Sequence, residues 1–436
     1  MMSLSQNTPA SFQSALDLAF QQGSGDPLLK KIRQKAWERF LELGLPTAKN
    51  DVFRYVPLRK LFAQAYELPQ NPHPVTLASI TPHILPECTH SLMVFVNGHY
   101  APELSNLTAL PTKAVVTSLA EALRSFGAFL TNKWNKSLTE ETDAFATLNA
   151  ALHPNGIFFY LPPRTQMEKP LQVLEVVDAP DSPLMVMPRM HFFVGNQSEL
   201  KVISTLAPLS GSNYWINQTA DFTIEEQAHV HYTQLSYNLP EAAWHLAATR
   251  ASLKRDSTFI AVHATEGSTT TRHDYRLTLA GENANAELNG AWVLRGKREA
   301  HTHVLIEHQS PNCRSLQLFK GILNEASHSS FEGKILVRQA AQKTNAFQLN
   351  NNLLLSDAAR AESKPNLEIF ADDVKASHGA TIGQLDNEQL FYLITRGCTP
   401  SDAKRLLVDG FVKDVFDKIT VPSCRASLTQ HMQHYL

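Results

Sequence analysis

Two groups of histidines in this 436-residue sequence could hold a metal ion. His301 and His303 are separated by one residue and are followed by Glu307, in a segment with the composition of a strand. Alternate residues of a strand face the same side, so both imidazoles and the carboxylate could point toward one ion. His378 stands alone among small residues, which would let a metal or cluster approach the backbone.

Neither group identifies an enzyme by itself. The spacing His-x-His-x-x-x-Glu begins a cupin metal motif, but no Pro- and Gly-rich segment with a third histidine follows residue 308. His229 and His231 have the same spacing, but no acidic residue lies four positions after the second histidine. Exposed strand histidines are the ordinary interpretation of both pairs. A metal-dependent, cupin-like β enzyme that uses His301, His303 and Glu307 is the alternative.

The composition narrows the class of protein. Hydrophobic residues make up 43% and charged residues 18%, as in ordinary globular chains, and the net charge of −2 offers no general attraction for nucleic acid or anionic lipid. The four cysteines are far apart, and the amino terminus has no basic segment followed by an apolar one, so no disulfide framework or secretory signal is expected. Nucleotide-binding GxxxxGK[ST], GxSxG and HExxH motifs are missing. A cytoplasmic protein without a membrane span is predicted.

Short strands dominate the sequence from about residue 156 to residue 374, without any helical pattern. Small or polar steps begin at Ala326, Ala341, Ala358 and Val374, separated by 15, 17 and 16 residues. Such a quasi-period indicates a β-solenoid, and the scarcity of Asn-Gly and Asp-Gly turns favours it over a β-sandwich of hairpins. The clearest strands are residues 171–177, 199–206, 229–236, 257–264, 273–279, 286–294 and 302–308.

Helices are predicted at both ends of the chain. Asp26 and Pro27 form an N-cap pair, and in the tail Asp386 and Thr399 are N-cap candidates before two amphipathic segments. The tail has more apolar surface than two helices can bury, so it must pack on the β core or on a partner. We predict an N-terminal helical region at 1–90, a mixed lead-in at 91–155, a β core at 156–383 and a helical tail at 384–436.

The run LLLSDAARAESKPNLEIFADDVKASHGATIGQLDNEQLFYLITRG, residues 353–397, resembles the C-terminal signature of the SufB/SufD family of iron–sulfur cluster assembly scaffolds. The words SHGAT at 377–381, EQLFYL at 388–393, Arg-Gly at 396–397 and DGF at 409–411 carry the resemblance. The His-Gly step at residue 378 is closer to the SufD branch. The resemblance implies a mainly β fold with helical ends, whose core is a right-handed parallel β-helix.

The resemblance also implies partners and a role. This chain would pair with a SufB-like subunit through its C-terminal coils and support cluster assembly and iron acquisition, with His378 and a partner cysteine holding a transient cluster. Ala376 stands where many relatives have cysteine. No permanent cofactor and no catalytic residue are implied, and a homodimer is possible for the isolated chain. A SufC-like ABC ATPase would dock on the tail, at Gln389, Leu390, Phe391, Tyr392, Arg396, Leu406, Leu407 and Phe411.

Overall fold

The computed structural model describes residues 10–23, 26–69, 74–180, 183–211 and 213–433. The expectation of no secretory signal concerns residues 1–20, of which residues 1–9 lie outside the described ranges. The α-helices are α1 Ala10–Gln21, α2 Pro27–Leu43, α3 Leu58–Phe62, α4 Leu77–Ile80, α5 Leu119–Glu140, α6 Ala144–Leu152, α7 Asn387–Thr395, α8 Pro400–Phe416 and α9 Pro422–Gln433. No helix in the described ranges is long and apolar enough to cross a membrane.

Within the described ranges, twenty strands lie between these helical ends. They are β1 Leu92–Val96, β2 His99–Tyr100, β3 Val115–Ser118, β4 Ile157–Leu161, β5 Leu171–Asp178, β6 Leu184–Val186, β7 Arg189–Val194, β8 Glu199–Ser210, β9 Tyr214–Ile224, β10 His229–Ser236, β11 Trp244–Leu253, β12 Thr258–Thr265, β13 Thr270–Leu279, β14 Asn285–Leu294, β15 Glu299–His308, β16 Arg314–Leu323, β17 His328–Val337, β18 Thr344–Leu354, β19 Arg360–Ile369 and β20 Val374–Gly383.

The strands wind into a parallel β-solenoid of about eight turns, which confirms the predicted fold class. Successive strands alternate between two sheets, so β15, β17 and β19 are neighbours in one sheet and β16, β18 and β20 in the other. Paired residues in these strands are 29 to 32 positions apart. The predicted steps of 15 to 17 residues therefore correspond to half a coil. The rival sandwich of hairpins is wrong, because these neighbours are parallel and never consecutive.

One corner of the solenoid repeats from coil to coil. The residue there is left-handed, with φ of 57° to 60°, and its N–H donates to a carbonyl of the next coil at 2.6 to 3.1 Å. A left-handed residue turns the chain sharply, so the repeat keeps the coils in register. In the part of the chain that the structure describes, the seven corner residues are Arg164, Gln197, Gln227, Asp256, Asn283, Asn312 and Lys343.

Helices cover the outer surfaces of both sheets. The N-terminal helices pack on β9 and β11, where Trp215 and Trp244 belong to a shared apolar cluster. Helices α8 and α9 pack on the other sheet and bury Val408, Val412 and Leu428 against its strands. The apolar face of the tail thus packs on the β core, which was one of its two predicted positions. The predicted domain limits at residues 90, 155 and 383 stay predictions.

The predicted helix caps are present. Asp26 accepts a hydrogen bond from Leu28 N–H, and Gly44 ends α2. In the tail, Asp386 caps α7 and Thr399 caps α8 through the N–H of Asp402. The chain turns at these points because each cap satisfies a backbone N–H that has no partner within the helix.

A buried ion-pair network joins the segment between α5 and α6 to the solenoid. Arg272 contacts carboxylate oxygens of Asp143 and Asp274, each at 2.8 Å. Arg250 binds Glu141 at 2.7 Å and Asp274 at 2.8 Å. Burial raises the pKa of Glu141, but the neighbouring guanidinium groups outweigh it and hold that pKa at about 2. The network therefore carries its charges within the protein interior at neutral pH.

Candidate functional site

The last coil leaves one end of the solenoid uncovered. Strands β19 and β20 are each the final strand of a sheet, so each has one edge without a neighbour among the described residues. On β20, His378 is paired in register with Gln348, whose side chain is buried in the solenoid interior. Paired residues of parallel strands share a face, so His378 points along the interior face of the coil. His378 is exposed because no further coil covers β20 in the described part of the chain.

Small and apolar side chains surround this imidazole on the same face. We call these inward-facing residues of the last coil the open end. No hydrogen bond from the described part of the chain occupies the His378 ring, so its ring nitrogens are free to act as ligands. The open end consists of Ala361, Ser363, Pro365, Leu367 and Ile369 on β19 and Val374, Ala376, His378, Ala380 and Ile382 on β20.

Buried amides lie beneath His378. Gln317, Gln348 and His378 occupy equivalent positions on β16, β18 and β20, which are neighbours in one sheet. Neither glutamine amide has a hydrogen-bond partner among the described residues. Buried polar groups without hydrogen-bond partners are uncommon in proteins. The two amides therefore make the interior beneath His378 polar, where packed apolar side chains would otherwise fill it. The position combines a free imidazole with polar groups directly below it.

Exposed apolar side chains extend around the open end. Ile369 and Ile382 lie on it, Phe370 follows β19, and Phe347 and Leu349 project outward from β18 beside it. Exposed apolar side chains beside unpaired strand edges are typical of surfaces that bind another chain.

The predicted docking residues of the tail lie on α7, α8 and the loop between them. Helix α7 has no buried residue, and the Phe391 side chain is 69% exposed. The Arg396 guanidinium stacks on the ring of Tyr392 at 5.2 Å, which holds both at the surface. Gln389 and Leu406 are also exposed, whereas Leu390, Leu407 and Phe411 are half-buried.

The three residues of the His-x-His-x-x-x-Glu motif do not meet. His301 contacts Glu299 and Ser330, His303 contacts Asp274 at 2.7 Å, and Glu307 pairs with Arg338 at 2.6 Å. His301 and Glu307 share a face of β15, but six residues of strand separate them by about 20 Å. His301 is buried, not exposed as the sequence suggested.

Two neighbours of His301 were missed by the sequence reasoning. Glu299 precedes it on β15, and His328 lies beside Glu299 on the next strand. The 29-residue separation of Glu299 and His328 is the signal that could have linked them, but it requires the coil length. Cys313 adds no thiolate here, because it donates a hydrogen bond to the Gly281 carbonyl at 3.2 Å and burial raises its pKa to about 11.

Comparison with known proteins identifies the family. Residues 176–411 match the family model described as SUF system FeS cluster assembly, SufBD core domain, and residues 6–173 match the SufBD protein N-terminal region. An iron–sulfur cluster assembly SufBD family protein of Synechocystis sp. is 30% identical over 426 residues, 96% of this chain and 93% of the relative.

Two further relatives have comparable coverage. The iron–sulfur cluster assembly protein SufD of Escherichia coli is 27% identical over 396 residues, 88% of each chain. The chloroplastic protein ABCI7 of Arabidopsis thaliana is 26% identical over 422 residues, 94% of this chain and 86% of the relative. The matches span the N-terminal helices, the solenoid and the start of the tail, and the chain therefore belongs to the SufB/SufD family of iron–sulfur cluster assembly proteins.

Proposed function

We propose that this chain is a non-catalytic scaffold subunit of a Suf-type cluster assembly complex. Its open end pairs with a SufB-like subunit, and its exposed tail helices bind a SufC-like ABC ATPase. ATP hydrolysis in the ATPase rearranges the scaffold pair. A cluster, which is cargo rather than a resident cofactor, then forms between His378 and a cysteine of the partner.

The observation that carries this proposal is the position of His378 on the uncovered interior face of β20. A second solenoid that stacks on the open end would extend both sheets and bury Ile369 and Ile382. The same stacking would enclose His378 together with the partner's end coil. Ala376 offers no thiolate on this face, and a cysteine of the partner would supply the sulfur ligand.

The tail supports the ATPase part of the proposal. Helix α8 buries its apolar face on the solenoid through Val408 and Val412, and Lys320 fixes it by donating to the Phe411 carbonyl at 2.7 Å. Helix α7 stays exposed, with Phe391 and Tyr392 on the surface. Aromatic residues on a well-anchored support are typical anchors of protein interfaces.

The first test replaces the imidazole without disturbing its strand. In a reconstituted complex with both partner subunits, His378→Ala is expected to preserve stoichiometric assembly but slow cluster formation about tenfold or more, as for a lost metal contact. Absorbance of the forming cluster measures the rate. The matched control is Ser377→Ala, which faces the opposite side of β20 and should behave as wild type.

Two outcomes would contradict the proposed role. One is a normal rate of cluster formation in His378→Ala. The other is purification of the tagged chain from its native lysate without an ABC-type ATPase and a related solenoid protein, for example as a homodimer alone. Equal loss in the Ser377→Ala control would assign the effect to the strand rather than to the imidazole.

A second test concerns the tail. Phe391→Glu places a charge on the proposed ATPase interface and is expected to weaken ATPase binding roughly 30-fold, the effect of losing an interface anchor. Isothermal titration with the purified ATPase measures the affinity. Phe129→Glu is the matched control, because Phe129 lies on α5 and is 56% exposed. Unchanged affinity in Phe391→Glu would exclude α7 from the interface.

A further inference from the structure

Three side chains on neighbouring coils converge in a way that the cluster assembly role does not use. Glu299, His301 and His328 each offer one ligand atom, and these atoms lie within 4.8 Å of one another. Glu299 Oε2 is 3.1 Å from His301 Nε2 and 3.7 Å from His328 Nδ1. In a tetrahedral site with metal–ligand distances near 2.1 Å, ligand atoms are separated by about 3.4 Å. The two separations from Glu299 lie on either side of this value, and the two imidazole nitrogens are within 4.8 Å of each other.

The backbone explains the convergence. Glu299 and His301 are alternate residues of β15 and share its outer face, and His328 is the register partner of Glu299 on β17. The two imidazole rings are nearly perpendicular, with centroids 5.4 Å apart. The site is thus built on two paired strands of the solenoid, whose spacing is fixed by backbone hydrogen bonds.

The outer nitrogen of each imidazole is held by another group. His301 Nδ1 is 2.7 Å from Ser330 Oγ, and His328 Nε2 is hydrogen-bonded to Glu362 on β19. Each bond directs the remaining nitrogen toward Glu299. Protein metal sites hold their histidine ligands in this manner, through a carboxylate or hydroxyl on the second ring nitrogen.

Residues of the N-terminal segment enclose the cluster, which is most exposed at His328. The His301 side chain is 3% exposed and that of His328 is 22% exposed. Tyr55, from the N-terminal segment, packs edge-on to His328 with ring centroids 6.3 Å apart. The Lys60 ammonium is 3.7 Å from Glu299 Oε1, the oxygen that faces away from the imidazoles. Two imidazoles and one carboxylate form a three-ligand set that leaves the fourth position open.

We propose that Glu299, His301 and His328 form a binding site for one divalent transition-metal ion of the Zn²⁺ or Fe²⁺ type. Imidazole and carboxylate ligands suit both ions, whereas Ca²⁺ and Mg²⁺ require more oxygen ligands. The bound ion would tie β15 to β17 beneath the N-terminal segment. The site lies on β15 and β17, which are within two coils of the open end, and it shares no residue with the open end.

The experiment uses the full chain, stripped with a chelator and titrated with Zn²⁺, and with Fe²⁺ under anaerobic conditions. One equivalent is expected to bind, and His328→Ala is expected to weaken binding by more than 100-fold. Glu362→Gln, which removes only the group that orients His328, is expected to weaken binding 10- to 100-fold. Co²⁺ absorption checks that the ligand geometry is tetrahedral.

A control variant makes the result specific to this site. His229→Ala removes a histidine with the same i, i+2 spacing on β10 and is expected to retain the full equivalent. The proposal is overturned if the wild-type chain binds no metal, in which case the cluster is a set of ion pairs. It is also overturned if both His328→Ala and Glu299→Gln bind as wild type while remaining folded by circular dichroism. Neither result depends on cluster assembly, so the experiment tests this metal site independently of the role proposed for His378.

Discussion

Replacing Arg272 with methionine is expected to lower the free energy of unfolding by about 3–5 kcal/mol, the effect of breaking a buried ion pair. The guanidinium is 3% exposed and binds both Asp143 and Asp274 at 2.8 Å. It also lies 4.2 Å from the ring centroid of Phe53. Methionine keeps most of the volume but leaves Asp143 without its partner and Asp274 with one fewer. Denaturant unfolding followed by tryptophan fluorescence measures the loss.

A surface arginine provides the comparison. Arg54 pairs with Asp51 at 3.1 Å, and both side chains are 59% exposed. Exposed pairs contribute less than about 1 kcal/mol, so Arg54→Met should change the unfolding free energy only slightly. If the two variants were equally stable, the buried network would not be what holds the N-terminal region to the solenoid.

The second large effect is expected from Glu175, whose carboxyl group is enclosed by the solenoid. It accepts hydrogen bonds from Ser204 at 3.2 Å and from Gln218, and its second oxygen has no partner among the described residues. Burial raises its pKa from 4.5 to about 8. The folded chain therefore keeps Glu175 protonated at a pH where the unfolded chain has released the proton.

The direction of the pH dependence follows from these two pKa values. The contribution of a group whose pKa is raised by folding is complete below pH 4.5 and decreases as the pH rises to about 8. At about 1.4 kcal/mol per pKa unit, the total decrease is on the order of 5 kcal/mol. Glu175→Gln cannot ionise, so it should be more stable than wild type above neutral pH and should flatten the profile.

Unfolding free energies of wild type and Glu175→Gln at pH 5, 7 and 9 measure this effect. The difference should grow from pH 5 to pH 9. The control is Glu226→Gln, which removes an exposed carboxylate paired with Arg255. Its unfolding free energy should change with pH in the same way as that of wild type. Parallel profiles for Glu175→Gln as well would mean that Glu175 is ionised in the folded protein.

Local chemistry made part of this structure predictable. The caps at Asp26, Asp386 and Thr399 follow from side chains that bond to nearby N–H groups, and they lie where the sequence placed them. The solenoid was predictable because apolar strands recur without helical pattern. Its corners were not, because the left-handed position accepts residues as different as Gln227 and Lys343.

The candidate sites could not be predicted from single strands, because their geometry arises only when neighbouring strands pair. The importance of His378 came from a family resemblance, but its inward orientation depends on pairing with Gln348, thirty residues away. The motif around His301 predicted ligands along one strand. The ligands that converge instead lie across strands, because Glu299 meets His328 through the coil repeat. Burial of His301 arises from the N-terminal segment, which no local pattern could place over it.

The open end also determines where the fold is weakest. Each coil of a solenoid contacts only the coils before and after it, so stability is nearly a sum over neighbours. The coil formed by β19 and β20 has one such neighbour, whereas helix α8 braces the earlier strands β14 and β16 from outside. Local opening should begin at the last coil and become rarer toward the middle of the stack. A subunit that covers this coil would suppress the fraying there before any cluster is present, so amide exchange at β20 would report the assembly step separately from the chemistry.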